Sequence, residues 1–260
     1  MEFLSIAHTD VGIQKNINQD ALLLKEAKTQ QGSALVAAVC DGMGVLVKGE
    51  VASAALVRAF SAWFEEELPF LLYEKGKIRK IPFEELRSSW MRLLERMDRR
   101  IANYGAALHK TCGATAAALL LTGNRYYAVN VGGSRIYLLD GMFKQLTKDQ
   151  TFVQRELDAG RLTPQEAEDY SQRNVLLQCV GASDGLAPDF FSGEFAPGNA
   201  FMLCSDGFCH MIAKEEFSEL LAPERMTDEE AMLDAAVYCT ELNKRRMEKD
   251  NISVILIKAR

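Results

Sequence analysis

Thr115-Ala116-Ala117-Ala118-Leu119-Leu120-Leu121-Thr122-Gly123-Asn124-Arg125-Tyr126-Tyr127-Ala128-Val129-Asn130-Val131-Gly132-Gly133-Ser134-Arg135-Ile136-Tyr137-Leu138-Leu139 is the stretch that decides the fold. Three apolar and aromatic runs, 115–121, 125–131 and 134–139, fit strands, and only Thr122-Gly123-Asn124 and Gly132-Gly133 separate them. Such short Gly-containing connections cannot hold crossover helices, so the pattern predicts an antiparallel meander instead of β-α-β units. Outward from it, strands are predicted at 3–7, 21–25, 34–40, 200–204 and 252–257. Between the groups of strands, Phe83, Leu86, Trp90, Leu93, Leu94, Met97, Ile101 and Tyr104 keep one apolar helical face. Val51, Ala54, Ala55, Ala59, Phe60, Trp63 and Phe64 predict a second helix packed beside it, with 68–82 as a long basic-tipped connection. Thr163-Pro164-Gln165-Glu166 and Thr227-Asp228-Glu229-Glu230 carry capping-box starts for two more helices. Long helices between runs of strands give an α+β layered sandwich, and with no repeat or Pro/Ser-rich linker, residues 1–260 read as one domain.

The 260 residues can bury a large core without staples. A 48% apolar and 25% charged composition excludes disordered and low-complexity chains. Thirty basic against 36 acidic residues give a net charge of −6, which disfavours nucleic acid and anionic membranes as partners and leaves room for a cation-binding acidic cluster. No run approaches the roughly 18 apolar residues that span a bilayer, and no secretion signal opens the sequence, so a cytoplasmic location is expected. Without a leader, the glycosylation pattern Asn251-Ile252-Ser253 carries no weight. The six cysteines show no zinc spacing and read as reduced, buried thiols.

Four aspartates stand at ends of predicted strands beside turn residues: Asp20, Asp41, Asp206 and Asp250. Taken singly each is an ordinary turn residue. Jointly they say more, because an apolar strand runs straight into Asp-Gly twice, at 35–42 and 201–207. Carboxylates gathered from neighbouring strand ends repel unless a cation compensates, and hard oxygen ligands select Mg²⁺ or Mn²⁺ over zinc.

The quoted stretches, from Thr9-Asp10-Val11-Gly12 and Asn18-Gln19-Asp20 through Asp41-Gly42-Met43-Gly44, Gly49-Glu50-Val51-Ala52-Ser53 and Gly113-Ala114-Thr115-Ala116, continue in Val131-Gly132-Gly133-Ser134-Arg135, Leu146-Thr147-Lys148-Asp149, Cys204-Ser205-Asp206-Gly207 and Asp250-Asn251-Ile252. In order and spacing the chain resembles the metal-dependent protein phosphatases of the type 2C (PPM) family in their short bacterial form. The resemblance implies a four-layer α-β-β-α sandwich with a two-metal site, Mn²⁺ or Mg²⁺, at one edge. Carried over from that family, Asp41 would bridge both ions, the Gly42 carbonyl would join one, and Asp206 and Asp250 would hold the other. The resemblance also implies that Asp20 would act through water on the metals, and that such a water would attack a phosphoserine or phosphothreonine monoester in line. Phosphorylated proteins are the implied substrates of a cytoplasmic monomer in a serine/threonine kinase pathway, with no nucleic-acid or membrane partner. A cysteine phosphatase is the competitor, but its one C-x5-R match, Cys239 to Arg245, falls in a predicted helix without glycines, and no phosphate-binding G-x-x-x-x-G-K-[ST] run occurs.

Three departures cluster near the implied site. Lys15 stands where the family uses arginine to grip the phosphate, so a point charge replaces a bidentate fork. Gly133 replaces the aspartate that helps hold a third metal, which implies a weakened or missing third ion. Val45 adds a β-branched residue after Asp41-Gly42-Met43-Gly44. A catalytically weak pseudophosphatase that binds a phosphoprotein is the alternative reading, and a phosphatase of a stress- or sporulation-type switch protein is another. Residues 149–170 correspond to a flap that shapes substrate access, or form an ordinary amphipathic surface helix with Phe152, Val153 and Leu157 docked on the core. His8, His109 and His210 form no pattern and receive no role.

Overall fold

The computed structural model describes every residue except 30, 31, 44–47, 75, 76, 169, 171, 173 and 174, so Val45 lies outside the described residues. The strands are β1 Phe3–Asp10, β2 Asp20–Thr29, β3 Gly32–Asp41, β4 Tyr73–Glu74, β5 Lys77–Ile78, β6 Ala116–Thr122, β7 Arg125–Val131, β8 Arg135–Leu139, β9 Phe143–Gln145, β10 Asp189–Glu194, β11 Ala200–Cys204 and β12 Ile252–Ala259. The helices are α1 Gly49–Glu66, α2 Leu68–Leu72, α3 Phe83–Ala107, α4 Phe152–Asp158, α5 Pro164–Glu168, α6 Asp206–Cys209, α7 Lys214–Leu220 and α8 Glu229–Arg245. One antiparallel sheet has the order β1-β12-β11-β8-β9 and the other β10-β7-β6-β3-β2.

The period-two alternation of the central strands splits their side chains between two cores. Leu35, Ala37, Val39, Leu119 and Leu121 face Ile136, Phe201, Leu203, Ile255 and Ile257 between the sheets. The intervening Val36, Ala38, Cys40, Ala118 and Leu120 face Leu56, Phe60 and Trp63 of α1 and Trp90, Leu93 and Leu94 of α3. On the opposite side, Met202, Cys204, Val254 and Leu256 face Phe208, Phe217, Met232, Ala236 and Cys239. Both faces of these strands are buried, which explains their uninterrupted apolar runs and yields the expected α-β-β-α layering. The helix pair is locked at the Trp63 ring, which meets Trp90 at 5.4 Å between centroids and donates to Ser89 Oγ at 2.8 Å. Each such fully buried large side chain stabilises by roughly 1.5–3 kcal/mol.

Several expectations are corrected. β7 and β8 are not meander partners: β7 pairs with β6 and β10, whereas β8 pairs with β11 and β9, so Gly132-Gly133 carries the chain from one sheet to the other. Residues 68–82 include α2 and the β4–β5 hairpin, not a plain connection. The last capping start shifts by one residue, because Asp228, not Thr227, accepts the Ala231 N–H at 2.8 Å. The Thr163 box forms as read, with Thr163 Oγ1 accepting from Glu166 N and the Glu166 carboxylate accepting from Thr163 N. Among the described residues no helix is long and apolar enough to cross a membrane, and all six cysteines are free and buried.

Candidate metal centre

The antiparallel register sets Asp20, the first residue of β2, directly opposite Asp41, the last of β3. Residues opposite one another in a ladder point to the same face, so both carboxylates project from one strand end. From the other sheet, β11 runs into Asp206, the first residue of α6, and Asp250 precedes its neighbour β12. Asn251 joins the two halves: its amide donates to Val11 O at 2.9 Å and Ile17 O at 3.2 Å, and its Oδ1 accepts the Gln19 N–H at 2.9 Å. Gln19 O in turn accepts from Gly42 N at 3.1 Å and Ser53 Oγ at 2.6 Å. The Asn-Gln-Asp run is thus gripped at its backbone by β3, α1 and β12 together. Close backbone approach demands glycine at two points: a Cβ on Gly42 would lie 2.4 Å from Gly49 C, and one on Gly207 would lie 2.2 Å from Asn251 O.

The structure therefore brings Asp20, Asp41, Asp206 and Asp250 into one volume. Burial pushes the Asp20 carboxyl up to about 6, and the Asp206 charge adds to the effect while the Ser253 and Ser205 hydroxyls oppose it. Burial, reinforced by the charges of Asp20, Asp206 and Asp250, holds the Asp41 carboxyl well above the usual carboxylate range. Burial also raises Asp206, against the partial compensation of His210. Among the described residues no well-formed hydrogen bond reaches either oxygen of Asp20 or Oδ1 of Asp206. Buried oxygens without partners, in carboxyls driven toward protonation, are what a site for hard cations leaves when considered by itself. Among the described residues no three His, Cys, Asp or Glu side chains close a coordination sphere alone. That donor set suits Mg²⁺ or Mn²⁺, which take backbone carbonyl and water oxygens beside one or two carboxylates.

Lys15, the expected phosphate ligand, lies 3.3 Å from Asp250. Gly133 and Asp206 share a cleft of ≈ 650 Å³ with the flap residues Val153 and Leu157. Neither of these residues nor Phe152 is fully buried, so α4 borders the cleft instead of docking on the core. The cleft is backed by the Arg135–Asp149 pair, with Nε to Oδ1 at 2.9 Å and Nη2 to Oδ2 at 2.6 Å. A cation is thus fixed beside Gly133 with its own counter-ion.

Two residues near the centre escaped sequence reasoning. His210 stands between Asp206, at 3.7 Å from Nε2, and Glu248, at 3.3 Å from Nδ1. Although burial disfavours its charge, Asp206 and Glu248 push the imidazole up to about 9. Against the cost of burial, His210 and the backbone N–H groups of Asp250 and Lys249 hold Glu248 below the ordinary glutamate value. The only sequence signal was a glutamate two residues before Asp250, which points nowhere by spacing.

A two-sheet α-β-β-α sandwich whose strand ends gather an acidic cluster is the build of a metal-dependent phosphatase. The sequence profile of protein phosphatase 2C matches residues 12–237, and the chain belongs to that family. It is 30% identical over 253 residues to the serine/threonine phosphatase stp of Listeria monocytogenes, covering 96% of this chain and 93% of the relative. The solved structure of the S. agalactiae serine/threonine phosphatase superposes with a TM-score of 0.82 at 25% identity, covering 99% of this chain and 100% of the other. The catalytic domain of the phosphatase PstP, solved in complex with two manganese ions, gives a TM-score of 0.77 at 28% identity and covers 98% of this chain and 97% of its own.

Proposed function

We propose that Asp41, the Gly42 carbonyl, Asp206 and Asp250 hold two Mn²⁺ or Mg²⁺ ions in a chain that is a metal-dependent serine/threonine protein phosphatase. The observation that carries this reading is the gathering of four aspartates in one buried volume, where burial, reinforced by the charges of Asp20, Asp206 and Asp250, lifts Asp41 well above the carboxylate range and where, among the described residues, no well-formed hydrogen bond reaches the Asp20 oxygens. Bound divalent ions supply compensation for that charge, activation of water and a clamp for phosphate oxygens. Around them the protein's own groups have separable tasks. Asp20, opposite Asp41, accepts a hydrogen bond from water at the centre and orients it. Lys15, paired with Asp250 in the structure, turns to a phosphate oxygen once the carboxylates are neutralised. Gly133 brings no carboxylate to the neighbouring cleft, and a third ion there is weak or missing.

Residues 1–260 act as one phosphatase domain, a monomer in the cytoplasm opposing a serine/threonine kinase on phosphorylated proteins, of which a regulatory switch protein is one fitting class. Purified protein in millimolar Mn²⁺ hydrolyses an aryl phosphate and phosphopeptides, and Asp41→Asn abolishes both. Absence of turnover on every phosphopeptide in Mn²⁺ overturns the enzyme. It leaves the second reading, a phosphoprotein-binding module, which Lys15 engaged with Asp250 favours.

A further inference from the structure

Glu248 is a carboxylate only 4% exposed, and a buried charge persists only where its surroundings satisfy it. Its Oε1 accepts the N–H of Lys249 at 2.7 Å and of Asp250 at 2.9 Å, which ties the side chain to the backbone at the second acid of the centre. Among the described residues its Oε2 has no partner in hydrogen-bond geometry, and it stands at ion-pair distance, 3.3 Å, from His210 Nδ1. The other ring nitrogen, Nε2, faces Asp206 Oδ2 at 3.7 Å. His210 N–H donates to Asp206 O at 3.0 Å, so one turn of α6 stacks the two side chains on the same side. Asp206 therefore has one oxygen at ion-pair distance from the imidazole and the other, Oδ1, without a hydrogen-bond partner among the described residues.

We infer that His210, braced by Glu248, is the positioning residue that fixes the Asp206 carboxylate relative to Asp250. The chain of contacts runs from the Asp250 backbone through Glu248 and His210 to the Asp206 side chain, so two acids from different parts of the sequence are held at a set spacing by protein alone. A histidine whose second nitrogen is fixed by a carboxylate is a common way to orient groups around a metal, usually as a ligand itself. Here the imidazole orients a carboxylate ligand instead. The ring lies at the meeting of two clefts, the one holding Gly133 and a second of ≈ 680 Å³ holding Lys15 and Asp250. Because Gly133 offers no side chain, the support of Asp206 on that side falls to His210.

This inference rests on the two-ion reading of the aspartates, and the test separates them. Mn²⁺ is titrated into EDTA-stripped protein, with free Mn²⁺ followed by electron paramagnetic resonance and binding heats by calorimetry. His210→Ala weakens Mn²⁺ affinity by roughly 10–100-fold, the usual cost of losing an outer support. His210→Gln, which restores a donor facing Asp206, recovers most of that loss, and Glu248→Gln weakens affinity by a smaller factor. In His210→Ala the Mn²⁺ concentration for half-activation rises while kcat at saturating Mn²⁺ stays within about threefold of wild type, a split that general loosening of the fold does not produce. Mn²⁺ affinity of His210→Ala within twofold of wild type overturns the inference and leaves the metal centre standing. Absence of Mn²⁺ binding by the wild type overturns both. Should His210→Ala fail to fold, Glu248→Gln decides, and wild-type affinity in that variant overturns the inference.

Discussion

The two halves of the acidic centre are built to different standards. On the β2–β3 side, Asp20 and Asp41 face each other across the ladder with no cationic side chain paired to them among the described residues, and both carboxyls are driven upward. On the β11–β12 side, each aspartate has one: His210 at Asp206 and Lys15 at Asp250. On the proposed two-ion reading, one half relies on a bound cation for its charge balance, while the other is partly balanced by the protein's own cations. On that reading the two halves divide the work: relief of repulsion at Asp20 and Asp41, the strained half, supplies affinity for the ions, and the braced pair Asp206 and Asp250, the supported half, supplies geometry.

The largest expected effect comes from breaking the strained half. Asp41→Asn lowers Mn²⁺-dependent phosphatase turnover by about three orders of magnitude, near 4 kcal/mol of barrier, measured on an aryl phosphate at saturating Mn²⁺; a variant retaining a tenth of the rate removes Asp41 from the centre. Next comes stability against pH in EDTA. The Asp20 carboxyl is raised from 3.8 to about 6 by burial, so the folded state binds its proton more tightly than the unfolded chain. The resulting stability is present in full below pH 4 and is lost as pH rises through about 6, up to about 3 kcal/mol. Denaturant unfolding at pH 4 to 8 should show wild type falling relative to Asp20→Asn over that window, with Mn²⁺ closing the gap at pH 7. A gap that does not change with pH contradicts a strained half.

On the supported half the effects are smaller. Lys15→Ala raises KM for a phosphopeptide about tenfold, ~1.4 kcal/mol, as befits one charged hydrogen bond, and Lys15→Arg lowers it by offering two. A KM indifferent to both leaves Lys15 as a counter-ion of Asp250 alone. Smallest of all, Gly133→Asp costs little stability, because its Cβ meets the flexible end of Leu176 at 3.2 Å and the Thr151 methyl at an ordinary 3.7 Å. It adds one Mn²⁺ to the stoichiometry measured by calorimetry, and an unchanged stoichiometry places the cause of a missing third ion elsewhere.

Much of this was legible because the decisive elements are buried on both faces. Residues 34–40 and 200–204 are apolar at every position since alternate side chains serve different cores, and their Asp-Gly ends announced the centre. β10 was missed because an edge strand of exposed and half-buried residues, Asp189–Glu194, carries a weak pattern. β8 was given the wrong partner because Gly132-Gly133 has the composition of a hairpin turn, and only the second sheet's need for a neighbour to β11 shows that the chain crosses over. Glu248 and His210 are 38 positions apart, and local spacing says nothing of contacts made by folding. Their meeting depends on α6 and the approach to β12 lying together, which is information of the whole sandwich.

The pairing of Asp20 with Asp41 is the last of ten rungs that begin at Thr29 and Gly32. At about 3.4 Å per residue the Thr29–Gly32 rung lies on the order of 30 Å from Asp20 and Asp41, and the number of paired residues in between fixes how the two aspartates meet. Adding or removing one residue in either arm would slide one aspartate past the other and turn it to the opposite face. The ladder is in this sense a measuring rod: a change in the length of either paired arm is transmitted undiminished to Asp20 and Asp41, whereas substitutions in its far rungs are not. Among natural variants of this chain, the far rungs of the ladder should tolerate changes of residue freely and any change in the length of the paired arms hardly at all.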